Sequence, residues 1–138
     1  MAKYKRGLTF GGFDVFHKGH YNLLIRAKKL CDELYVSVSD DDYIYKHKGH
    51  FPVWHWRKRA DTIEYATGIE SMYIQHQGAE SSKAELVKKY VPDVLIVGDD
   101  WTPETYTGEG LGVPVEYLSY TKDISTTLIR DNVQHRLS

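Results

Sequence analysis

Two histidines three residues apart, His17 and His20, follow a turn that begins with Gly11 and Gly12. An apolar pattern of helical period, residues 23–30, comes directly after them, so both imidazoles lie at the start of a predicted helix. The unpaired amides and the positive dipole end of a helix N-terminus attract anions, and the glycines let the backbone approach a ligand closely. Two imidazoles here favour a phosphate site over a metal site, which would require further ligands.

Apolar runs of strand length alternate with segments of helical period along the chain. The pattern predicts strands at 8–10, 34–39, 72–76, 93–97 and 113–118, and helices at 20–30, 54–65, 81–91 and 125–135. Residues 43–54 have weak periodicity and are predicted to be irregular. This alternation favours an α/β fold: a Rossmann-like doubly wound sheet of about five parallel strands, with helices on both faces, in a single domain over residues 1–138.

Composition narrows the functional classes. A net charge of −1 gives no reason to expect nucleic acid or an anionic membrane as partner. The single cysteine, Cys31, precludes an intrachain disulfide, and the apolar run near the N-terminus is too short for a signal or membrane segment. We therefore expect a cytoplasmic protein. The aromatic cluster between Tyr43 and Trp56 is either a packed loop, a partner surface or a substrate lid.

Other polar side chains follow predicted strands, where doubly wound sheets bind their ligands. An acidic and aromatic group follows the fourth predicted strand, a hydroxyl group opens the last helix, and a basic pair follows the second strand. A solvated turn, a simple helix cap and a solvated loop are the alternatives to a ligand role for these three groups. Their members are Gly98, Asp99, Asp100 and Trp101; Ser125, Thr126 and Thr127; and Lys46 and Lys48.

The segment Gly-x-Phe-Asp-x-x-His-x-Gly-His after the first strand resembles the signature of the cytidylyltransferase-type nucleotidyltransferases. Gly-Asp-Asp-Trp at 98–101 and Ile-Ser-Thr-Thr at 124–127 continue the resemblance in the same order. It covers the chain from about Leu8 to Asn132 and is closest to the glycerol-3-phosphate cytidylyltransferase group. Three motifs in the right order at strand ends are much more specific than any one of them.

This resemblance implies transfer of CMP from CTP to a small phosphorylated alcohol, glycerol 3-phosphate or similar, with release of pyrophosphate. Mg²⁺ would accompany the triphosphate without a dedicated protein metal site, and the enzyme would be a homodimer. The implied catalytic residues are His17, His20, Lys46 and Arg57, with Arg59 as an alternative to Arg57. The implied nucleotide-binding residues are Phe10, Gly11, Gly12, Phe13, Asp14, Lys48, Gly98, Asp99, Asp100, Trp101, Tyr120, Ile124, Ser125, Thr126 and Thr127.

The resemblance leaves two questions open. Asp14 would either orient a histidine or hold the metal shell. Tyr120 stands where the group has an arginine, and Lys122 either restores that charge or indicates another acceptor, so phosphoethanolamine, phosphocholine and sugar-alcohol phosphates stay open. The competing functions are an ATP-dependent adenylyltransferase of the same superfamily and a non-catalytic nucleotide-binding domain.

Overall fold

The computed structural model describes residues 2–68, 72–77, 82–99 and 101–119. Its elements are β1 (Tyr4–Gly11), α1 (Lys18–Leu30), β2 (Cys31–Ser39), α2 (Asp41–Lys48), α3 (Trp56–Thr67), β3 (Met72–Gln77), α4 (Lys83–Tyr90), β4 (Val94–Gly98) and β5 (Val115–Leu118). None of the helices within these ranges is long and apolar enough to cross a membrane. The predicted last helix lies outside the described residues, as do Asp100, Tyr120, Ile124, Ser125, Thr126 and Thr127.

The five strands form one parallel sheet in the order β3-β2-β1-β4-β5. The chain moves outward from β1 in one direction through β2 and β3, and then crosses to β4 on the other side of β1. The carboxyl ends of β1 and β4 therefore flank the point where the strand order reverses, which is where such sheets bind ligands. This topology confirms the predicted Rossmann-like sheet.

Helices cover both faces of the sheet. On one face, Leu24 of α1 and Ile63 of α3 pack against Val36 and Ile96. On the other face, Leu86 of α4 packs in the same cluster as Leu8 and Leu95. All five residues of β4 are buried, as expected for a strand covered on both faces.

The prediction that residues 43–54 are irregular is wrong for their first half, because α2 occupies Asp41–Lys48. The Asp40 side chain caps this helix by accepting from the Tyr43 amide, and Gly49 ends it with a left-handed φ of 79°. These caps define a helix that apolar spacing could not reveal, since Ile44 is its one buried residue. Lys46 and Lys48 consequently lie in the last turn of a helix.

Gly7 lies very close to Cys31 on the neighbouring strand. A Cβ at Gly7 would overlap the Cys31 Sγ and lie 3.3 Å from Ile96 Cδ1. We expect Gly7→Ala to lower the free energy of unfolding by about 1–3 kcal/mol through overpacking. Cys31→Ala removes the overlapping sulfur, so the double variant should lose less than the sum of the single losses. Urea denaturation of all four proteins measures this coupling, and additive losses would contradict it.

Candidate active site

A cleft of about 580 Å³ lies at the carboxyl ends of the strands. It is built from the β1–α1 turn, the ends of β2, β3 and β4, helix α2 and the loop after β4. The structure brings many of the predicted residues to its walls: Phe10, Gly11, Gly12, Phe13, Asp14, His17, His20, Lys48, Gly98 and Trp101. Lys46, two residues before Lys48, is exposed and does not line the cleft.

His17 and His20 cap the N-terminus of α1 reciprocally. His17 Nδ1 accepts from the amides of Gly19 at 3.0 Å and His20 at 3.4 Å, while His20 Nδ1 accepts from the His17 amide at 3.3 Å. The two rings stack with their centroids 3.8 Å apart. Two histidines thus form the reciprocal cap that is usually made by Ser or Thr with Glu or Gln.

This cap sets the tautomer of both neutral rings. Because each Nδ1 accepts from a backbone N–H, each neutral ring carries its proton on Nε2. Burial lowers the pKa of His17, and burial together with the neighbouring His17 lowers that of His20 to about 3. The positive end of the helix dipole also disfavours a charged imidazole. At neutral pH the site therefore presents two uncharged N–H donors.

The His17 donor has no partner among the residues that the structure describes. Its Nε2 atom is buried and makes no hydrogen bond within the described part of the chain, although His17 lines the cleft. A buried unsatisfied donor costs about 1–3 kcal/mol. Such a group in a cleft at a helix N-terminus is suited to an anionic ligand oxygen.

The turn that delivers the histidines is strained. Phe13 and Val15 have positive φ angles of 53° and 49°, a backbone conformation that is unusual for residues other than glycine. The Phe13 ring is buried in the core and passes so close to Gly11 that a Cβ there would lie 2.8 Å from it. Gly11 is therefore required by packing beneath the turn.

The Asp14 carboxylate joins this turn to the segment before α3. Its Oδ2 accepts from the Val53 amide at 2.7 Å, and its Oδ1 accepts from the Trp54 amide at 2.9 Å. These bonds give Asp14 a role that neither sequence-based alternative included. It fixes the position of one wall of the cleft relative to the histidine turn.

A second connection is made by Arg59, whose side chain is fully buried. Its Nη1 donates to the carbonyls of Gly12 and Ser39, both at 2.7 Å, and its Nε donates to the carbonyl of Trp54 at 3.0 Å. Its Nη2 forms an ion pair with Asp41 at 2.6 Å. One guanidinium thus holds the ends of β1 and β2 and the starts of α2 and α3 together.

Arg57, the arginine favoured by the sequence, lies elsewhere. Its side chain is exposed, with its guanidinium 5.4 Å from the Trp56 ring centroid, and it borders a separate open depression on α3. Arg57 and Arg59 are two positions apart, which places them on different faces of the helix. Helical phase was the signal that could have separated them, because Arg59 precedes the buried Ala60 and lies four positions before the buried Ile63.

The acidic and aromatic group after β4 is only partly at the cleft. Gly98 and Trp101 line it, and the Trp101 ring lies 5.9 Å from that of Tyr106. Asp99 is exposed and does not border the cleft, and its backbone amide donates to the carbonyl of Leu118.

The cleft residues that the sequence did not single out include Gln77, Lys83 and Tyr106. Gln77 ends β3, and Lys83 is the first residue of α4, so the rule that ligands bind after strand ends could have indicated both. Burial lowers the pKa of Lys83 and raises that of Tyr106. Tyr106 belongs to the loop after β4, for which the sequence pattern offered no signal.

Comparison with known proteins shows the family to which the chain belongs. The family model described as cytidylyltransferase-like matches residues 8–132. The glycerol-3-phosphate cytidylyltransferase of Bacillus subtilis is 34% identical over 131 residues, which cover 94% of this chain and 97% of that protein. The chain therefore belongs to the cytidylyltransferase-like family of nucleotidyltransferases.

Two further kinds of similarity are informative. The bifunctional protein HldE of Caulobacter vibrioides is 35% identical over 128 residues, and that of Desulfatibacillum aliphaticivorans is 32% identical over 133. The match to the Caulobacter protein covers 89% of this chain and 26% of that protein, and the match to the Desulfatibacillum protein covers 93% and 27%. The chain therefore spans about a quarter of the length of these relatives. A lipopolysaccharide core biosynthesis protein from Thermoplasma volcanium superposes with a TM-score of 0.64 at 26% identity, covering 86% of this chain and 98% of that one.

The capped histidines predict a pH dependence of stability. The folded-state pKa of His20 is about 3 against 6.5 for an ordinary histidine, so the unfolded chain binds a proton at this site first as the pH falls. The free energy of unfolding should therefore decrease from about pH 6.5 downward, by at most ~1.4 kcal/mol per pH unit for each histidine. His20→Gln retains a capping side chain but does not titrate. Its stability should fall less steeply between pH 6.5 and 4.5, and equal slopes in urea titrations would contradict the assignment.

Arg59 and Arg57 form a matched pair for mutation. Arg59→Met leaves Asp41 without its buried partner and should cost about 3–5 kcal/mol of unfolding free energy. Arg59→Lys should also be destabilising, because one ammonium cannot reach three carbonyls and a carboxylate. Arg57→Met, at an exposed site, should change stability by no more than about 0.5 kcal/mol. Denaturant unfolding measures all three, and equal losses for the two arginines would refute this distinction.

Proposed function

We propose that this protein transfers CMP from CTP to a small phosphorylated alcohol, glycerol 3-phosphate or similar, with release of pyrophosphate. The observation that carries the proposal is the unpartnered, buried Nε2 of His17 in the cleft at the start of α1. The name and nearly full-length match of the Bacillus relative support CTP and glycerol 3-phosphate as substrates.

The reaction is a displacement at the α-phosphorus of CTP. An oxygen of the acceptor's phosphate attacks and forms a new P–O bond, while the bond from the α-phosphorus to the oxygen that bridges to the β-phosphorus breaks. The electron pair of that bond leaves on pyrophosphate. A phosphate monoester is anionic at pH 7, so no base is needed and the protein's task is to position the reactants and stabilise charge.

The two histidines suit this task because they are neutral donors. As negative charge develops on the phosphate oxygens in the transition state, Nε2–H groups that are already oriented can stabilise it without reorganising. Burial lowers the pKa of both histidines, which favours the neutral imidazole over the imidazolium at pH 7. His17 and His20 therefore act by hydrogen bonding rather than by acid–base transfer.

Cations for the triphosphate come from α2. Lys48 lines the cleft, and Lys46 lies in the same last turn of the helix. We assign both lysines to the β- and γ-phosphates, and the position of Lys48 at the cleft supports a direct contact for it. Lys46 and Arg57 stay predictions as catalytic residues, because their exposed side chains do not border the cleft.

Mg²⁺ fits the site as a companion of the nucleotide. Within the described ranges no three His, Cys, Asp or Glu side chains are grouped to hold a metal ion, and both oxygens of Asp14 accept from backbone amides. Mg²⁺ commonly retains waters and binds through substrate phosphates rather than in a protein cage. When bound, it would neutralise charge on the triphosphate, and we assign it no protein ligand.

We also propose a cytoplasmic homodimer. Its support is the resemblance, together with an exposed apolar group in the segment 43–56. Tyr45 stacks on Phe51 with their centroids 4.5 Å apart, and both rings are about half exposed (50% and 58%) next to Val53. Light scattering after size-exclusion chromatography tests this state, and Phe51→Ser should shift it toward monomer.

The role of His17 is tested by two substitutions. His17→Ala should reduce kcat by about 10²–10³-fold or more, because it removes a preorganised donor to the transition state. It should also cost ~1 kcal/mol through loss of the cap. His17→Asn can retain the cap but has no donor at the Nε2 position, so it should be nearly as inactive and more stable. Pyrophosphate release measures kcat, and near-normal turnover of either variant would overturn the assignment.

The nucleotide is tested by thermal shift with CTP and ATP in the presence of Mg²⁺. A ligand at 100 times its Kd stabilises the folded state by about 2.7 kcal/mol, so the true nucleotide should raise Tm clearly. We expect CTP to give the larger shift. A larger shift with ATP would support the adenylyltransferase alternative, and binding without pyrophosphate release across several phosphomonoesters would support a non-catalytic domain.

A further inference from the structure

A third histidine, His50, lines the cleft from the segment between α2 and α3. It directly follows Gly49, the residue with left-handed φ that ends α2, and its side chain is exposed. Lys48, which also lines the cleft, lies two residues earlier. His50 therefore belongs to the wall that carries a lysine, and the β1–α1 turn carries the other two histidines.

The backbone on both sides of His50 is held in place. The Gly49 amide donates to the Tyr45 carbonyl at 2.8 Å and closes the last turn of α2. On the other side, the Phe51 ring stacks on that of Tyr45 with their centroids 4.5 Å apart. The imidazole is thus presented to the cleft by a short segment whose two ends contact the same helix.

The tautomer of His50 is opposite to that of the other two histidines. Its Nδ1 lies 3.1 Å from the Phe51 carbonyl oxygen. Because a carbonyl can only accept, Nδ1 is the donor and carries the proton of the neutral ring, which leaves a lone pair on Nε2. In His17 and His20 the arrangement is reversed, since Nδ1 accepts from backbone amides and Nε2 carries the proton.

This tautomer makes the response of His50 to phosphate depend on its charge. A neutral ring would repel a phosphate oxygen at Nε2, because lone pairs would face each other. When Nε2 gains a proton, the ring becomes a cation with a second N–H that can donate to that oxygen. The carbonyls at the C-terminal end of α2 also favour a cation nearby. Binding of phosphate and binding of a proton are therefore coupled at this residue.

Other titratable groups border the same cleft on the elements that surround His50. Burial lowers the pKa of His17, His20 and Lys83. The Asp14 carboxylate accepts from the amides of the segment that follows His50. A variant of His50 is therefore needed to separate its titration from that of its neighbours. Among the described residues these neighbours are Asp14, His17 and His20 on the β1–α1 turn, Tyr43 and Lys48 on α2, Lys83 on α4 and Tyr106 in the loop after β4.

We propose that His50 binds the β- and γ-phosphates of the nucleotide as an imidazolium, so that nucleotide binding takes up one proton at Nε2. The proton comes from the solvent, and no covalent bond of the nucleotide changes in this step. Lys48 supplies a permanent positive charge on the same wall, and His50 supplies one that depends on pH. The proposal rests on the proposed function and makes the affinity for the triphosphate increase as the pH falls from alkaline values to slightly acidic ones.

The first experiment measures the Kd of CTP with saturating Mg²⁺ by titration calorimetry between pH 6.5 and 8.5, without an acceptor. The wild-type Kd should be about tenfold lower at pH 6.5 than at pH 8.5, the effect expected from one charge-assisted hydrogen bond. The nucleotide's own terminal phosphate works in the opposite direction, because it loses charge as the pH falls. Heats measured in buffers of different ionisation enthalpy should show proton uptake. A constant Kd, or tighter binding at pH 8.5, would overturn the proposal.

Variants of two histidines assign this proton. His50→Gln is uncharged, and it should lose the tighter binding at pH 6.5 together with the proton uptake. His50→Lys keeps its charge, and it should bind CTP tightly across the whole range. The matched control is His47→Gln, because His47 is an exposed residue of α2 that packs on the Tyr43 ring at 4.4 Å and does not border the cleft. It should keep the wild-type profile. Tighter binding at pH 6.5 that survives in His50→Gln, or that is lost in His47→Gln, would refute the assignment.

A probe without a base separates this proposal from the proposed function. If CTP does not bind, tripolyphosphate with Mg²⁺ is titrated into the wild type and into His50→Gln. Binding that tightens towards pH 6.5 in the wild type but not in the variant would preserve the phosphate site while transfer from CTP is abandoned. If neither compound binds, both proposals are wrong. If CTP binds and pyrophosphate is released with no effect of His50→Gln on the pH profile, CMP transfer stands and the role of His50 is refuted.

Discussion

The geometry of the cleft depends on one buried guanidinium. Arg59 contacts the carbonyls of Gly12, Ser39 and Trp54 and the Asp41 carboxylate, which come from four separate segments of the chain. Burying a charge without partners costs many kcal/mol, and even a paired buried charge is weak evidence for net stability. What the interaction does contribute is position, because a planar donor group with fixed geometry defines where four chain segments must lie. Asp14 adds a second connection between the same segments through Val53 and Trp54.

The site has two kinds of group that attract anions, neutral N–H donors and charged lysines, and they lie on different walls of the cleft. The histidines contribute neutral N–H donors, because burial lowers the pKa of both rings and each Nδ1 accepts a hydrogen bond from a backbone amide. Formal charge comes instead from lysines on α2 and α4, Lys48 and Lys83, on other walls. In the proposed reaction, neutral donors can stabilise the charge that develops on phosphate oxygens without binding the ground-state phosphate as strongly as a cation would. Lysines farther along the cleft can then supply affinity for the highly charged substrates.

How far the sequence predicted this site varies with the residue. The histidine turn was predictable because its glycines, its spacing and the following helical period agree. The sequence favoured Arg57 over Arg59 as the catalytic arginine, which stays a prediction. That Arg59 is buried beneath the cleft and Arg57 is exposed could have been predicted from helical phase, because the buried Ala60 and Ile63 mark the inner face of α3. Helix α2 was missed because its definition comes from caps rather than from apolar spacing. The strand-end rule could have indicated Gln77 but not Tyr106, and the lack of a hydrogen-bond partner for either side chain is seen only where the tertiary structure buries it.

The unpartnered donors in this cleft lower the stability of the fold and favour ligand binding. His17 Nε2, Gln77 Nε2 and the Tyr106 hydroxyl are all buried without partners in the described part of the chain, and all three residues line the same cleft. At about 1–3 kcal/mol each, they consume a substantial part of the net stability of a small domain. Apolar replacements of these side chains would recover this energy, but they would also remove the donors that can bind a ligand oxygen. Because the desolvation cost is met during folding, a ligand oxygen that enters the cleft gains the full hydrogen bond, and binding is selective for molecules that offer oxygens at these positions.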